Sequence, residues 1–316
     1  MLPKTFQRFA PALFALASLS LDSRTTLAQT PAPARPAAPA TTPAPGSEGG
    51  RVVRSPGNAD WAGTLADARR RAAAEKKLVF YELTREGCGD CRRMDALLYP
   101  AFDFEALLTG MVPVKIDLDS PDGRVLAERY TIQQAPSILI TSPDGRLAFM
   151  MQNFKNAPDF WQHVRPDLDR YRKFSAQVDA QDVPRLSANE AFKTGSELFA
   201  RFDFEAARER LKRAATAPDA TPPLKSSALQ GLAAAELQLG RPGDARKTIE
   251  QAIAVAPDGD HRERAELFRA QIPLSENKPD EALALYRRFA KDHPDSKYMD
   301  RVRSFIEKLG GAGATR

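Results

Sequence analysis

The sequence predicts two folded parts: an α/β domain with a central mixed sheet flanked by helices, followed by an all-α domain of helical repeats. Two observations support this fold class. Between residues 61 and 174, short apolar runs typical of buried strands alternate with helical segments. From Asn189 onward the strand patterns stop, and small residues recur at a nearly constant spacing. A chain of 316 residues is long enough for two domains.

The elements of the α/β part follow from apolar spacing. We expect helices over 61–77, 87–98, 102–108, 124–130 and 159–174, and strands over 78–83, 112–118, 137–141 and 147–151. The last strand should pair back antiparallel, because Ser142-Pro143-Asp144-Gly145 has the residues of a tight turn. The run Ser-Pro-Asp-Gly-Arg occurs at 120 and again at 142, and we interpret both copies as turns.

Composition excludes several function classes. The chain has 2 cysteines and 3 histidines, so a scaffold held by many disulfides is excluded and a zinc site would lack ligands. A net charge of +5 is too small to indicate nucleic-acid binding. We therefore expect neither a metal nor a cofactor.

The N-terminus has the pattern of an export signal. Lys4 and Arg8 precede an apolar run over 9–21, which is too short to span a membrane, and small residues allow cleavage after Ala28. A short buried helix is the alternative interpretation. We predict a signal peptide over 1–28 and a disordered Pro/Ala-rich tether over 29–56. The mature protein would then be soluble, periplasmic or secreted in a bacterial envelope, and without a membrane anchor.

The two cysteines form one motif, Cys88-Gly89-Asp90-Cys91, between a predicted strand and a predicted helix. A helix N-terminus favours a thiolate, which is the nucleophile in disulfide exchange. Cys88 would attack a substrate sulfur and Cys91 would resolve the mixed disulfide, while the charge of Asp90 opposes thiolate formation. The alternatives are half of a zinc site and an inert structural disulfide.

Residues 61–174 resemble a thioredoxin fold of the exported thioredoxin-like group. This resemblance rests on two features. The strand 77–82 leads into Cys88, and Ala135-Pro136 directly precedes the strand 137–141. The resemblance implies that Pro136 is a cis-proline that shapes the substrate groove, and that the Ala135 backbone offers hydrogen bonds to a substrate chain. The alternative for Pro136 is an ordinary loop proline.

The resemblance also implies a role for Glu82, which would lie buried beneath the dithiol and take the proton from Cys91. The alternative is a surface glutamate. Gly89 and Asp90, inside the motif, would tune the redox properties. The chain departs from the family at Gly87, where an aromatic residue is common, at Asp90, where classical thioredoxin has proline, and at Gln152-Asn153, where a glycine is usual. These departures favour a specialised partner.

The last third resembles tetratricopeptide repeats. Ala207, Ala245 and Ala282 recur 38 and 37 residues apart, and turns containing Gly195 and Gly240 are expected between helices. Three prolines should end the repeat units: Pro218, Pro257 and Pro294. A capping helix is expected over 298–309. The alternative is a non-repetitive helical bundle.

A basic run lies in the first of these units: Arg201, Arg208, Arg210, Lys212 and Arg213. We interpret it as a solvated face, with an acidic peptide ligand as the alternative. The domain boundaries that we predict are 57–175 for the thioredoxin-like domain, 176–188 for a linker and 189–312 for the repeats.

Together these patterns predict an exported thiol–disulfide oxidoreductase of undetermined direction. Its partners would be the thiols and disulfides of client proteins, an upstream redox partner protein and a peptide ligand of the helical repeats. We expect no nucleic-acid partner. The alternative function is a non-catalytic envelope adaptor, whose repeats bind partners and whose Cys88–Cys91 pair is a structural disulfide.

Overall fold

The computed structural model describes residues 60–100 and 102–312. Its N-terminal part contains a four-stranded sheet in the order β2-β1-β3-β4. The strands are β1 (Leu78–Thr84), β2 (Met111–Asp117), β3 (Ser137–Thr141) and β4 (Leu147–Gln152). β1 and β2 are parallel, whereas β3 runs antiparallel to both β1 and β4. The sheet is therefore mixed, as predicted.

Five helices cover the two faces of this sheet. They are α1 (Leu65–Glu75), α2 (Gly89–Leu98), α3 (Phe102–Leu108), α4 (Pro121–Tyr130) and α5 (Ala157–Asp179). Side chains of β1 alternate between the faces. Val79, Tyr81 and Leu83 pack in one core with α1 and α4, and Phe80 packs in the other core with α2, α3 and α5.

The two copies of Ser-Pro-Asp-Gly-Arg adopt different structures, so the prediction of two turns was wrong for the first. Ser120 is the N-cap of α4, where its Oγ accepts a hydrogen bond from Gly123 N at 3.0 Å. A proline at the first helical position suits this start. The second copy is the β3–β4 turn (residues 142–146), which we call the hairpin turn, and Gly145 there has φ +97°.

The C-terminal part is all-helical across the described residues. After a short 3₁₀ helix, Val183–Arg185, seven helices follow: α6 (Ala188–Ala200), α7 (Phe204–Thr216), α8 (Pro222–Gln238), α9 (Pro242–Val255), α10 (Asp260–Ser275), α11 (Pro279–Asp292) and α12 (Met299–Ala312). Each packs against the next along the chain. The expected capping helix over 298–309 corresponds to α12.

The recurring alanines have equivalent positions. Ala207, Ala245 and Ala282 are each the fourth residue of α7, α9 and α11, and all three are buried. Pro218, Pro257 and Pro294 each lie two residues beyond the ends of the same helices. Small residues at these positions allow adjacent helices to approach closely.

The prediction that Gly195 lies between helices was wrong. Gly195 is inside α6, where a Cβ atom would lie 2.9 Å from Leu211 Cγ of α7. The glycine is therefore needed for close helix packing and not for a turn. Gly240, with φ +72°, does follow the end of α8 as expected.

The interpretation of the basic run as a solvated face was wrong for several of its members. Arg210 is buried and donates to Val178 O at 2.8 Å. Arg213 donates to Leu186 O at 2.8 Å. These guanidinium groups thus donate to carbonyl oxygens near the end of α5 and just after the 3₁₀ helix.

The helix predicted over 159–174 extends to Asp179, into the predicted linker. Phe174, Val178 and Leu186 pack in the same core as α6 to α10. Buried apolar residues therefore continue into 176–188, the segment that we predicted to be a linker because helical periodicity is lost there. The boundaries of the domains themselves stay predictions.

The helical part contacts the sheet at the hairpin turn. Arg146 forms an ion pair with Asp203 at 2.8 Å. Leu147 N donates to Arg201 O at 2.7 Å, and the Arg201 guanidinium donates to Leu147 O at 3.0 Å. Because Thr141 pairs with Val79 at the beginning of β1, this contact lies at the end of the sheet opposite to Cys88.

The predicted signal peptide over 1–28 and the predicted tether over 29–56 lie outside the described residues. Among the helices that the structure describes, none is long and apolar enough to cross a membrane.

Candidate functional site

Cys88 and Cys91 form a disulfide at the beginning of α2. β1 ends at Thr84, and Gly87 then adopts φ +72°, a conformation that glycine reaches without steric cost. Cys88 is the N-cap of α2, and its Sγ accepts a hydrogen bond from Cys91 N at 3.0 Å. The first cysteine thus lies at the positive end of the helix dipole, where a thiolate is stabilised.

The two sulfur-bearing residues differ in accessibility. Cys88 is partly exposed, whereas Cys91 is 3% exposed and lies on the buried face of α2. Between them, Gly89 and Asp90 are exposed, and Asp90 pairs with Arg93 at 3.4 Å. An attacking thiolate at Cys88 can therefore meet a partner, while Cys91 is shielded from one.

The Ala135–Pro136 peptide bond is cis and precedes β3. Ser137, the next residue, pairs with Leu83 at the end of β1. The loop of Pro136 therefore lies at the same end of the sheet as Cys88, as the family resemblance implied.

Gln152 holds this loop from the neighbouring strand. Its Oε1 accepts a hydrogen bond from Gln133 N at 3.0 Å, and its Nε2 donates to Thr131 O at 3.2 Å. Gln152 stands opposite Ser137 at the end of β4. A glycine at this position would leave the loop without either hydrogen bond.

Glu82 is buried at 1% exposure, which excludes the surface interpretation. Lys115 is its register partner in β2, and Lys115 Nζ lies 2.5 Å from Glu82 Oε1. The same Nζ lies 2.8 Å from Asp95 Oδ2 of α2. One ammonium group thus contacts two carboxyl groups below α2.

Burial raises the pKa of Glu82 to about 8, because the charged form loses its hydration. The Lys115 ammonium opposes this rise and Asp95 adds to it. Burial also opposes the charged form of Lys115, but the two carboxylates outweigh that effect and raise the pKa of Lys115. Glu82 can therefore bind and release a proton near neutral pH.

Sequence reasoning missed Lys115 and Asp95. A signal for Lys115 exists: it is a charged residue within the apolar strand 112–118. Its partnership with Glu82 depends on the strand register, which a single sequence does not show. Asp95 lies four residues after Cys91, so the two share one face of α2.

Across the described residues, no group of three or more His, Cys, Asp and Glu side chains could hold a metal ion. The three histidines are dispersed: His163 lies on α5, His261 lies in the first turn of α10 and His293 follows α11. The geometry at α2 instead provides a dithiol pair and one buried carboxyl group.

A family model and several solved structures match parts of this chain. A family model described as thioredoxin-like matches residues 60–143. The solution structure of a thioredoxin from Thermus thermophilus matches at 21% identity and TM-score 0.29, covering 31% of this chain and 79% of that chain. A structure described as DsbH Oxidoreductase matches at 15% identity and TM-score 0.32, and the match covers 39% of this chain and 95% of that chain. No curated protein matches significantly.

The family model covers the sheet as far as the end of β3, and includes α2 with its disulfide. The order of elements, the mixed sheet and the cis-proline loop facing the disulfide end are those expected of this fold. Residues 60–143 of this chain therefore belong to a thioredoxin-like domain, whose sheet is completed by β4 and covered by α5, and a C-terminal all-helical region follows.

Proposed function

We propose that this chain is an exported thiol–disulfide oxidoreductase that exchanges disulfides with client proteins through Cys88 and Cys91. One observation carries the proposal: a partly exposed Cys88 at the N-terminus of α2 is joined to a buried Cys91. A purely structural disulfide has no need of an exposed sulfur at a positive helix end.

In the reducing direction, the Cys88 thiolate attacks one sulfur of a client disulfide. A mixed disulfide forms, and the second client sulfur leaves with the electron pair. Cys91 then loses its proton to the Glu82 carboxylate and attacks Cys88 Sγ. The client leaves as a dithiol, reduced by two electrons, and the Cys88–Cys91 disulfide forms. An upstream redox partner protein would return two electrons.

The loop of Pro136 would bind the client backbone. Ala135 precedes β3 at the disulfide end of the sheet, so its peptide groups can hydrogen-bond to an extended segment beside Cys88. The two hydrogen bonds from Gln152 would keep this loop in one conformation.

The helical region would recruit the client or a redox partner as tetratricopeptide-like repeats. The equivalent burial of Ala207, Ala245 and Ala282 supports this assignment. Because the helical region and the dithiol belong to one chain, a partner bound to the region would meet the dithiol at raised effective concentration. The sequence pattern of the first 28 residues supports export.

The decisive experiment traps the mixed disulfide. Full-length Cys91→Ser, incubated with periplasmic extract, should form adducts with client proteins that reductant releases, and the double variant Cys88→Ser/Cys91→Ser should form none. The wild type should also catalyse insulin reduction by dithiothreitol. Absence of both adducts and insulin reduction would leave the adaptor function instead. A measured reduction potential separates a reductant from an oxidant.

Export has its own test. Mass spectrometry of the chain recovered from the periplasmic fraction should give a mature N-terminus near Gln29. Recovery of the chain only from the cytoplasm, beginning at Met1, would contradict export.

A further inference from the structure

The ammonium group of Lys115 contacts two acids, Glu82 and Asp95, with different geometry. Its Nζ lies 2.8 Å from Asp95 Oδ2 with good hydrogen-bond alignment. It lies 2.5 Å from Glu82 Oε1, but neither oxygen of Glu82 has an aligned hydrogen-bond partner. The contact with Glu82 is therefore an ion pair, whereas the directed hydrogen bond goes to Asp95.

The placement of these groups connects them to the dithiol. Asp95 and Cys91 are four residues apart in α2, so they occupy one face of that helix. Glu82 lies on the face of the sheet that α2 covers, because Phe80, two residues earlier, packs with Met94 of α2.

Lys115 and Asp95 are the charged groups that act on Glu82. The other elements present apolar side chains to this core: Ile138 from β3 and Phe160 from α5. Asp95 is also the more accessible of the two acids, with 25% side-chain exposure against 1% for Glu82. Hydration and the aligned hydrogen bond both favour the pairing of Lys115 with Asp95.

We propose that Asp95 is a positioning residue of the dithiol site, which holds the Lys115 ammonium and so leaves the buried Glu82 carboxylate basic enough to accept the proton of Cys91. This inference rests on the proposed function. It adds a residue that neither the sequence motif nor the cis-proline loop contains.

The step concerned is the resolution of a mixed disulfide. The Cys91 S–H bond breaks and its proton goes to Glu82, a bond forms between Cys91 Sγ and Cys88 Sγ, and the bond from Cys88 Sγ to the client sulfur breaks. The client sulfur leaves with the electron pair. If Asp95 were neutral, the whole charge of Lys115 would stabilise the Glu82 carboxylate, which would then be a weaker base.

The first measurement is a pH titration of Glu82 in the full-length oxidised protein, followed by ¹³C NMR of the glutamate carboxyl carbons. The Glu82 signal is assigned as the one that is lost in Glu82→Gln. In Asp95→Asn the midpoint of Glu82 should fall by about one pH unit or more, and in Lys115→Met it should rise. Asp90→Asn is the matched control, since Asp90 is an exposed acid of the same helix, and it should leave the midpoint unchanged.

The second measurement follows resolution directly. Reduced protein reacts with 5,5′-dithiobis(2-nitrobenzoate), and stopped flow records release of the second thionitrobenzoate as Cys91 attacks. In Asp95→Asn, the pH at which this phase reaches half of its maximal rate should fall by the same amount as the Glu82 midpoint. Asp95→Glu, which keeps the charge, should restore the wild-type profile.

The outcomes are distinguishable. A Glu82 midpoint that does not change in Asp95→Asn overturns the inference, even if the protein exchanges disulfides. A shifted midpoint with an unshifted resolution profile also overturns it, because Asp95 would then have no effect on the chemistry. If the midpoint shifts in Asp95→Asn but the wild type resolves no mixed disulfide, Asp95 still positions Lys115, and the proposed function is refuted instead.

Discussion

Arg146 and Asp203 form a 2.8 Å ion pair between the hairpin turn of the sheet and the N-cap residue of α7. The side chains are 11% and 14% exposed, so water screens the pair weakly. Arg146 also contacts Asp179 and Ser175 at the end of α5, each at 3.1 Å. One guanidinium group thus joins the thioredoxin-like domain to the helical region.

Replacement of Arg146 by methionine should destabilise the junction, because Asp203 and Asp179 would lose their counter-charge. We expect a loss of about 1–3 kcal/mol in the free energy of unfolding. Urea denaturation followed by circular dichroism measures it. Arg172→Met is the control: Arg172 lies on α5, the helix that contains Asp179, in an exposed pair with Asp169, and should change stability by less than about 0.5 kcal/mol. Equal effects of both variants would contradict this role for Arg146.

Glu82 should make stability pH-dependent. Its pKa rises from 4.5 in the unfolded chain to about 8 in the fold, so between these pH values the native state binds more protons than the unfolded state. The free energy of unfolding should therefore fall as pH rises from about 5 to about 8, with a slope of at most about 1.4 kcal/mol per pH unit for one group. Urea denaturation of the oxidised wild type and of Glu82→Gln across this pH range tests the expectation. If the free energies of unfolding of the two proteins had the same pH dependence, Glu82 would not titrate as a buried group.

The two thiols of the reduced protein should react at different rates with iodoacetamide. Cys88 is partly exposed at the helix N-terminus and Cys91 is buried, so we expect Cys91→Ser to be alkylated at least about tenfold faster than Cys88→Ser. Mass spectrometry of quenched samples gives the rates. In urea the two rates should become similar. Faster alkylation of the Cys91 thiol would reverse the assigned order of attack.

Loss of the Gln152 hydrogen bonds should affect protein substrates selectively. Gln152→Ala frees the 131–134 loop, so we expect KM for insulin to rise about three- to tenfold, since a hydrogen bond contributes about 1 kcal/mol. The rate with a small disulfide should not change, because that substrate needs no groove. Gln134→Ala, at an exposed side chain of the same loop, is the control. An equal loss with both substrates would assign Gln152 a purely structural role.

Close packing of α6 on α7 should make Gly195 intolerant of a side chain. In Gly195→Ala, the new Cβ would lie 2.9 Å from Leu211 Cγ, and we expect a net loss of about 1–2 kcal/mol in the free energy of unfolding. Gly243→Ala in α9, where no atom lies within 4 Å of the added Cβ, should instead be neutral or stabilise by up to about 1 kcal/mol. Thermal denaturation of both variants distinguishes them, and stabilisation by both would contradict the close approach.

Much of the fold and site could be predicted because the signals are local. β3 has the predicted limits, since its apolar run is short and bounded by proline on one side and by a turn on the other. The start of α2 follows from glycine residues around Cys88, and the pattern of Ala207, Ala245 and Ala282 reflects helix contacts repeated along the chain. Each of these features depends on residues close together in sequence.

Other features depend on contacts between distant segments. The pairing of Lys115 with Glu82 requires the register of β1 on β2, and that of Lys115 with Asp95 requires α2 to lie over that face. Gly195 is an acceptable turn residue by composition, yet its neighbour is Leu211 of the next helix. Such partners are fixed by packing and not by local propensity.

The two copies of Ser-Pro-Asp-Gly-Arg show this division directly. The sequence by itself determined that the chain changes direction at both places, that the cysteines share one exchange motif and that strands give way to helices. Only the tertiary structure decided that Ser120 caps a helix, in which Gly123 packs on Asp117 at the end of β2. Only the tertiary structure decided, too, that the second copy joins two strands and contacts the helical region. The physical reason is that identical local chemistry permits both conformations, and burial of the segments that follow selects one.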